Sequence, residues 1–167
     1  ILEVAATSYG YAMVTYTGQN LGARKIERIS KGMHAAILVA VVTSAVIAAA
    51  MLLFGKAILG LFVSGSPEEV AETLNIAYHY LAIMSVFLPV LYVLHVTRSC
   101  LQGMGNTLLP MLSGIAEFIM RTGTAMLLPL FFGAEGIFYA EILAWLGADV
   151  ILVASYIVQM RKLKRTA

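Results

Sequence analysis

Charge is scarce in this sequence, and the gaps in it are clustered. Charged residues make up 12% of the 167 residues and hydrophobic residues 60%, against about 25% and roughly 45–50% in soluble domains. From Ala35 to Gly55 there is no ionisable residue, a run of 21 positions. A helix needs about 20 apolar residues to cross the hydrocarbon core, and a buried helix of a soluble protein rarely runs so far without a polar face. These gaps argue against a soluble domain and for an all-α integral membrane protein. Cysteine is nearly absent: the single Cys100 excludes an intrachain disulfide and a cysteine-based metal site. The net charge of +2 is too small to suggest a nucleic-acid partner. No phosphate-binding loop, HExxH or GxSxG motif occurs, and the histidine spacings do not suit a metal site. The sequence offers no catalytic, cofactor or metal residues, so an enzyme has no support. It also has no basic leader and no initiator Met. Its opening, ILEVAATSYGYAMV, reads as the interior of a helix with further residues upstream.

Five apolar segments are predicted. The first, about 4–17, reads as a truncated span rich in Thr, Tyr and Gly. Four complete spans follow, about 33–63, 76–101, 108–132 and 136–160. Nine of the 11 basic residues fall on one side of this arrangement. They are Arg24, Lys25, Arg28 and Lys31 in the first connection, Arg98 before the fourth segment, and Arg161, Lys162, Lys164 and Arg165 in the tail. Glu68, Glu69, Glu72 and Glu135 lie on the other side. The positive-inside rule makes the basic side cytoplasmic and puts the C-terminus there. Lys56 lies near the outer end of its helix, where it can snorkel. Ser66-Pro67-Glu68-Glu69 has the pattern of a capping box with Pro at the first helical position. Pro89, inside the third span, predicts a kink that serves either packing or a hinge.

Ionisable groups at mid-membrane cost about 2.5–3.5 kcal/mol each on the insertion scale and usually face the bundle or a water-filled cavity. Glu117 and Arg121 are four apart, on one helix face with Gly114 and Thr124, and can pair. The pair faces a transport pathway or fixes helix packing. Glu141, Trp145 and Asp149 follow at successive steps of four. Glu141 lies roughly 8 Å below the outer end at 1.5 Å per residue. Asp149 is near mid-depth with no partner on its own helix, so it either exchanges a proton or is hydrogen-bonded to a neighbouring helix. Ser85, Tyr92, His95 and Ser99 share a face with Pro89. His95 is a proton relay or a packing residue. His79, between Tyr78 and Tyr80, reads as part of an outer aromatic belt. Thr7, Tyr11 and Thr15 form a polar stripe that lines a cavity or bonds between helices.

Two connections are distinctive: GQNLGARKIERISKG, Gly18 to Gly32, and RSCLQGMGNTLLPM, Arg98 to Met111. They resemble the paired signatures of the multidrug and toxic compound extrusion (MATE) family. There a GQNxGA loop follows the second helix of a six-helix lobe, and an LxGxGxTxxPM turn joins the fourth and fifth. The stretch LFVSGSPEEVAETLNIAYHYL is similar to the family's third-to-fourth connection, so the resemblance covers essentially the whole chain. It implies a twelve-helix transporter of two lobes. The basic tail RKLKRTA suits a natural C-terminus, so 1–167 is read as part of the C-terminal lobe, helices 8–12. GIAEFIMRTG and AEILAWLGAD resemble the eleventh and twelfth helices of bacterial members.

The resemblance further implies a secondary antiporter of a bacterial plasma membrane. It would export cationic or amphipathic compounds in exchange for H⁺ or Na⁺ by alternating access. The partners implied are that substrate, the bilayer and the missing N-terminal lobe. Some branches of the family carry an acid midway along the tenth helix, but SVFLPVLYVL here has none. Coupling then falls to an acid in the missing lobe or to Asp149, Glu141 or Glu117. None of these three matches a known family site. Arg121, His95 and Tyr92 complete the candidate transport residues. Two alternatives stand beside the antiporter: a flippase of lipid-linked oligosaccharides from the same wider superfamily, and a non-transporting scaffold subunit.

Overall fold

Helix α1 (Leu2–Gly22) turns through residues 23–25 into α2 (Ile26–Gly60) in the computed structural model, which describes residues 2–166. The turn is tight: the Ala23 N–H donates to the Gln19 carbonyl and the Lys25 N–H to the Asn20 carbonyl, and Arg24 takes a left-handed φ of 57°. There follow α3 (Pro67–Val86), α4 (Leu88–Gly103), α5 (Leu108–Leu127) and the short α6 (Pro129–Phe132). A 3₁₀ segment (Gly133–Tyr139) then leads into α7 (Ala140–Thr166). No strand occurs among the described residues.

Local chemistry sets these boundaries. Ser66 starts α3 with a capping box. Its hydroxyl accepts from the Glu69 N–H at 3.4 Å, and the Glu69 carboxylate accepts from the Ser66 N–H at 3.0 Å. Pro89 cannot donate to the Ser85 carbonyl. The helix therefore breaks at Phe87, two residues before the proline, and α3 and α4 meet at a 50° bend. The predicted third span is thus two helices. The Val90 N–H, bonded to the Phe87 carbonyl at 3.0 Å, restarts the ladder. Asn106 Oδ1 accepts from the Leu109 N–H at 3.1 Å and ties the α4–α5 turn to the first turn of α5. Pro129 separates the short α6 from α5, yet Leu108–Phe132 remains one span, as predicted.

The core is built around α4. Leu88, Leu91, Tyr92, Leu94, Val96, Thr97, Cys100 and Leu101 are all buried on it. They pack among Ala6 and Met13 of α1, Ile26, Ile29, Met33 and Ala40 of α2, and Trp145, Ala148 and Leu152 of α7. Outside this core, large apolar side chains face outward: Leu38, Val42, Val46 and Leu53 on α2, Phe118, Ile119 and Met126 on α5, and Val150 and Val158 on α7. So much exposed apolar surface fits a hydrocarbon solvent, where a continuous helical ladder keeps every backbone polar group paired. Ile26–Gly60, Leu108–Phe132 and Glu135–Arg165 are each long and apolar enough to cross a membrane, and the bent α3–α4 pair supplies a fourth crossing. The chain is a membrane-embedded helical bundle.

Candidate functional site

The polar interior is a chain of alternating charges across three helices. Glu117 and Arg121 sit one turn apart on α5, and Oε1 of Glu117 accepts from Nη2 of Arg121 at 2.8 Å. The other oxygen, Oε2, accepts from Nη2 of Arg98 on α4 at 2.7 Å. Arg121 Nη2 also reaches Oε2 of Glu141 at 2.8 Å, in the first turn of α7. A carboxylate suits that turn, because the helix macrodipole is positive there. The order is Arg98, Glu117, Arg121, Glu141, with no net charge. Arg98 further approaches the hydroxyl of buried Ser113 at 3.5 Å.

Glu117 and Arg121 were expected to pair. That Arg98 and Glu141 would join them was not legible, since Arg98 counted as a cytoplasmic rim charge and Glu141 as a lone acid. Depth was the available signal. Arg98 lies five residues into α4 and Glu117 nine residues into α5 from their shared turn. That offset is about 6 Å at 1.5 Å per residue, which a guanidinium can reach.

Asp149, further along α7, stands outside this chain of ion pairs. Its Oδ1 is buried without a hydrogen-bond partner, as are Nε of Arg98 and Nε of Arg121. The charged groups close enough to act on it are Arg98 and Glu117. Two arginines therefore face three carboxylates.

Beside Arg98 a cleft of about 550 Å³ opens between α1 and α4. Thr7, Tyr11 and Thr15 line it from α1; His95, Arg98, Ser99 and Gln102 line it from α4. The α1 stripe thus faces a cavity. Thr7 and Thr15 donate their hydroxyl protons to the carbonyls of Val4 and Tyr11. Their oxygens keep lone pairs for a guest. His95 donates from Nδ1 to the Leu91 carbonyl at 3.0 Å, leaving Nε2 available.

The predicted polar face of the third span is divided. Ser85 stays on α3, buried and bonded to the Leu81 carbonyl at 2.7 Å. Tyr92 is buried in the core rather than beside His95 in the cleft. Its ring lies 6.1 Å from that of Tyr9, whose hydroxyl shares a 2.7 Å hydrogen bond with Thr43. His79 and Tyr80 pack on Phe138 of the 3₁₀ segment with centroids 5.9 and 5.3 Å apart, while Tyr78, expected beside them in one belt, bonds to the Leu52 carbonyl instead. Lys56 lies over the Tyr78 ring and donates to Asn75.

The second of the distinctive connections, Arg98 to Met111, has a physical role. At Gly103 a Cβ would stand 2.6 Å from the Val14 carbonyl oxygen and 2.7 Å from Thr17 Cβ, so this glycine lets α1 and α4 touch. Gly105 makes the turn with a left-handed φ of 80°. A family model described as MatE matches residues 1–127. The chain belongs to the MatE family. Members are membrane transporters, and both connections lie inside the matched range. Helix α7, with Glu141 and Asp149, lies beyond it. Comparison with curated proteins and with solved structures gave no match.

Proposed function

We propose that the protein works as a secondary active multidrug efflux antiporter, exporting cationic or amphipathic compounds in exchange for H⁺ or Na⁺ by alternating access. Family membership supports membrane transport. The observation that carries the finer reading is the charge network of α4, α5 and α7 beside the α1–α4 cleft. Intramembrane charge costs insertion energy, and a bundle that served only as a scaffold would have little use for a surplus acid. The lone pairs of Thr7 and Thr15 and the ring of Tyr11 suit an amphipathic guest with N–H groups. In this reading a second lobe closes the pathway opposite the cleft. The basic turn at Arg24 and Lys25 and the tail at Arg161–Arg165 face the cytoplasm of a bacterium.

The test is accumulation of a fluorescent cationic dye in cells that express the intact transporter. Less dye than in vector controls is expected while ion gradients are present, and ionophores should abolish the difference. Equal dye levels with the gradients intact would overturn the reading. A proton ionophore and a sodium ionophore, used separately, identify the driving ion.

A further inference from the structure

We propose that Asp149 is a proton-binding site at mid-membrane and that Arg98 is the counter-ion that holds it when the proton has left. The chemistry stands on the geometry, while its use in transport rests on the antiporter reading. Each carboxylate in the chain of ion pairs has a guanidinium at 2.7–2.8 Å, and Asp149 has none. Its Oδ1 is nevertheless buried, and Nε of Arg98 is a buried donor also without a partner. The groups facing Asp149 are Arg98 from α4 and Glu117 from α5. Helix α2 meets α7 near Ser30 and Tyr156, with Lys31 and His34 next along it, while its run from Ala35 to Gly55 has no ionisable residue.

A surplus carboxylate in this place has three ways to be neutralised: a metal cation, a proton, or Arg98 itself. A metal cation there would sit against the Arg98 guanidinium, whose positive charge opposes it. A proton needs one lone pair and cancels the charge. With the proton bound, Asp149 is a neutral acid, and Arg98 belongs to Glu117 alone. When the proton passes to water, Asp149 and Glu117 share Arg98. The exchange is –COO⁻ + H⁺ ⇌ –COOH, with water as donor and acceptor, and no other bond changes. Arg98 also lines the α1–α4 cleft, so the state of Asp149 is felt where a guest would sit.

Two measurements on the purified intact transporter test the site without relying on transport. The first is modification by dicyclohexylcarbodiimide, an apolar reagent for protonated carboxyls, located by peptide mass. Modification is expected at Asp149, fading as pH rises. Modification confined to Glu117 or Glu141, or indifferent to pH at Asp149, overturns the proposal. The second is the acid-minus-alkaline infrared difference spectrum. A protonated-carboxyl band is expected in the wild type, lost in Asp149→Asn and kept, displaced, in Asp149→Glu. A band that persists unchanged in a folded Asp149→Asn protein, or is missing from the wild type, overturns the proposal. Dye export with no such band would leave the antiporter reading standing without this site. The band without dye export would leave the site and remove that reading.

Discussion

Arg98 of α4 meets Glu117 of α5 at 2.7 Å, and the same carboxylate holds Arg121 at 2.8 Å. One acid therefore serves two guanidiniums on two helices, and Glu117 is the central link of the network. Its replacement by Ala takes from Arg98 its 2.7 Å partner, leaving it only Asp149, and leaves Arg121 with Glu141 alone. Removing one partner of a buried pair costs about 3–5 kcal/mol. Because Glu117 retains some exposure, we expect the lower end, about 3 kcal/mol. Thermal unfolding in detergent should show a large drop for Glu117→Ala. The double variant Arg98→Gln/Glu117→Gln removes the charge mismatch at that end and should lose less. A double variant as unstable as Glu117→Ala would mean that the charges themselves are not what destabilises.

Arg121 has a second carboxylate, so the outer end of the network is better buffered. Its side chain is 42% exposed. Glu141→Gln leaves Arg121 paired with Glu117 and should therefore cost less than Glu117→Ala, which takes a partner from two arginines. The same unfolding assay separates it from Glu117→Ala, and equal losses would contradict the hierarchy.

The two glycines of the α4–α5 turn should fail for different reasons. Gly103→Ala puts a methyl against the backbone carbonyl of Val14, which cannot rotate away. Overpacking of this kind costs about 1–3 kcal/mol. Gly105→Ala meets nothing within 4 Å and is penalised only by its φ of 80°, by about 1–2 kcal/mol. Gly105→Asn should recover part of that loss, because Asn tolerates the left-handed region. No asparagine-like change should rescue Gly103. The comparison of melting temperatures across these three variants and Gly103→Asn checks both statements.

The features that could be read along the chain were those set by neighbours in sequence. The apolar runs, the Ser66 capping box and the Glu117–Arg121 pair are all local and all appear. The proline kink was expected and lies at Phe87, because the ring of Pro89 disturbs the turn before it. Features fixed by the rotation of one helix against another were not legible. Arg98 looked like a rim charge because its distance from Glu117 depends on how α4 and α5 pack. Tyr92 and His95 shared a predicted face, yet the two are separated by the position of α1, which buries Tyr92 against Tyr9 and leaves His95 in the cleft.

Outside the membrane, Glu69 carries a pH dependence of known sign. The Ser66 hydroxyl first, and the Ser66 backbone N–H second, hold its carboxyl below the usual glutamate range. A group whose pKa is depressed on folding adds stability that is present above its unfolded value and is lost as pH falls through its folded value. Amide protection at the start of α3 should therefore weaken as the solution becomes acidic enough to protonate Glu69. Glu69→Gln keeps an acceptor for the Ser66 N–H and should make that protection flat with pH. Hydrogen exchange at residues 66–70 is the measurement. A pH-dependent loss that survives in Glu69→Gln would assign it to another group.

The bend at Phe87 follows from a missing donor, and it can be undone. Pro89→Ala supplies a helical N–H to the Ser85 carbonyl, which now accepts from the Phe87 N–H, and allows the ladder of α3 to run into α4. The gain is about one net hydrogen bond, roughly 1 kcal/mol, because Pro89 already occupies an early position of α4 where its ring costs little. Leu88, Leu91 and Tyr92 are buried just beyond the break, so α4 should stay seated in the core and α3 should swing. That movement would strain the bond from the Tyr78 hydroxyl to the Leu52 carbonyl, now 2.8 Å, and part of the gain would be lost there. Spin labels at positions 76 and 102 should then report a longer and narrower distance distribution than in the wild type. An unchanged distribution would mean that packing around Phe87, and not the proline, imposes the 50° bend.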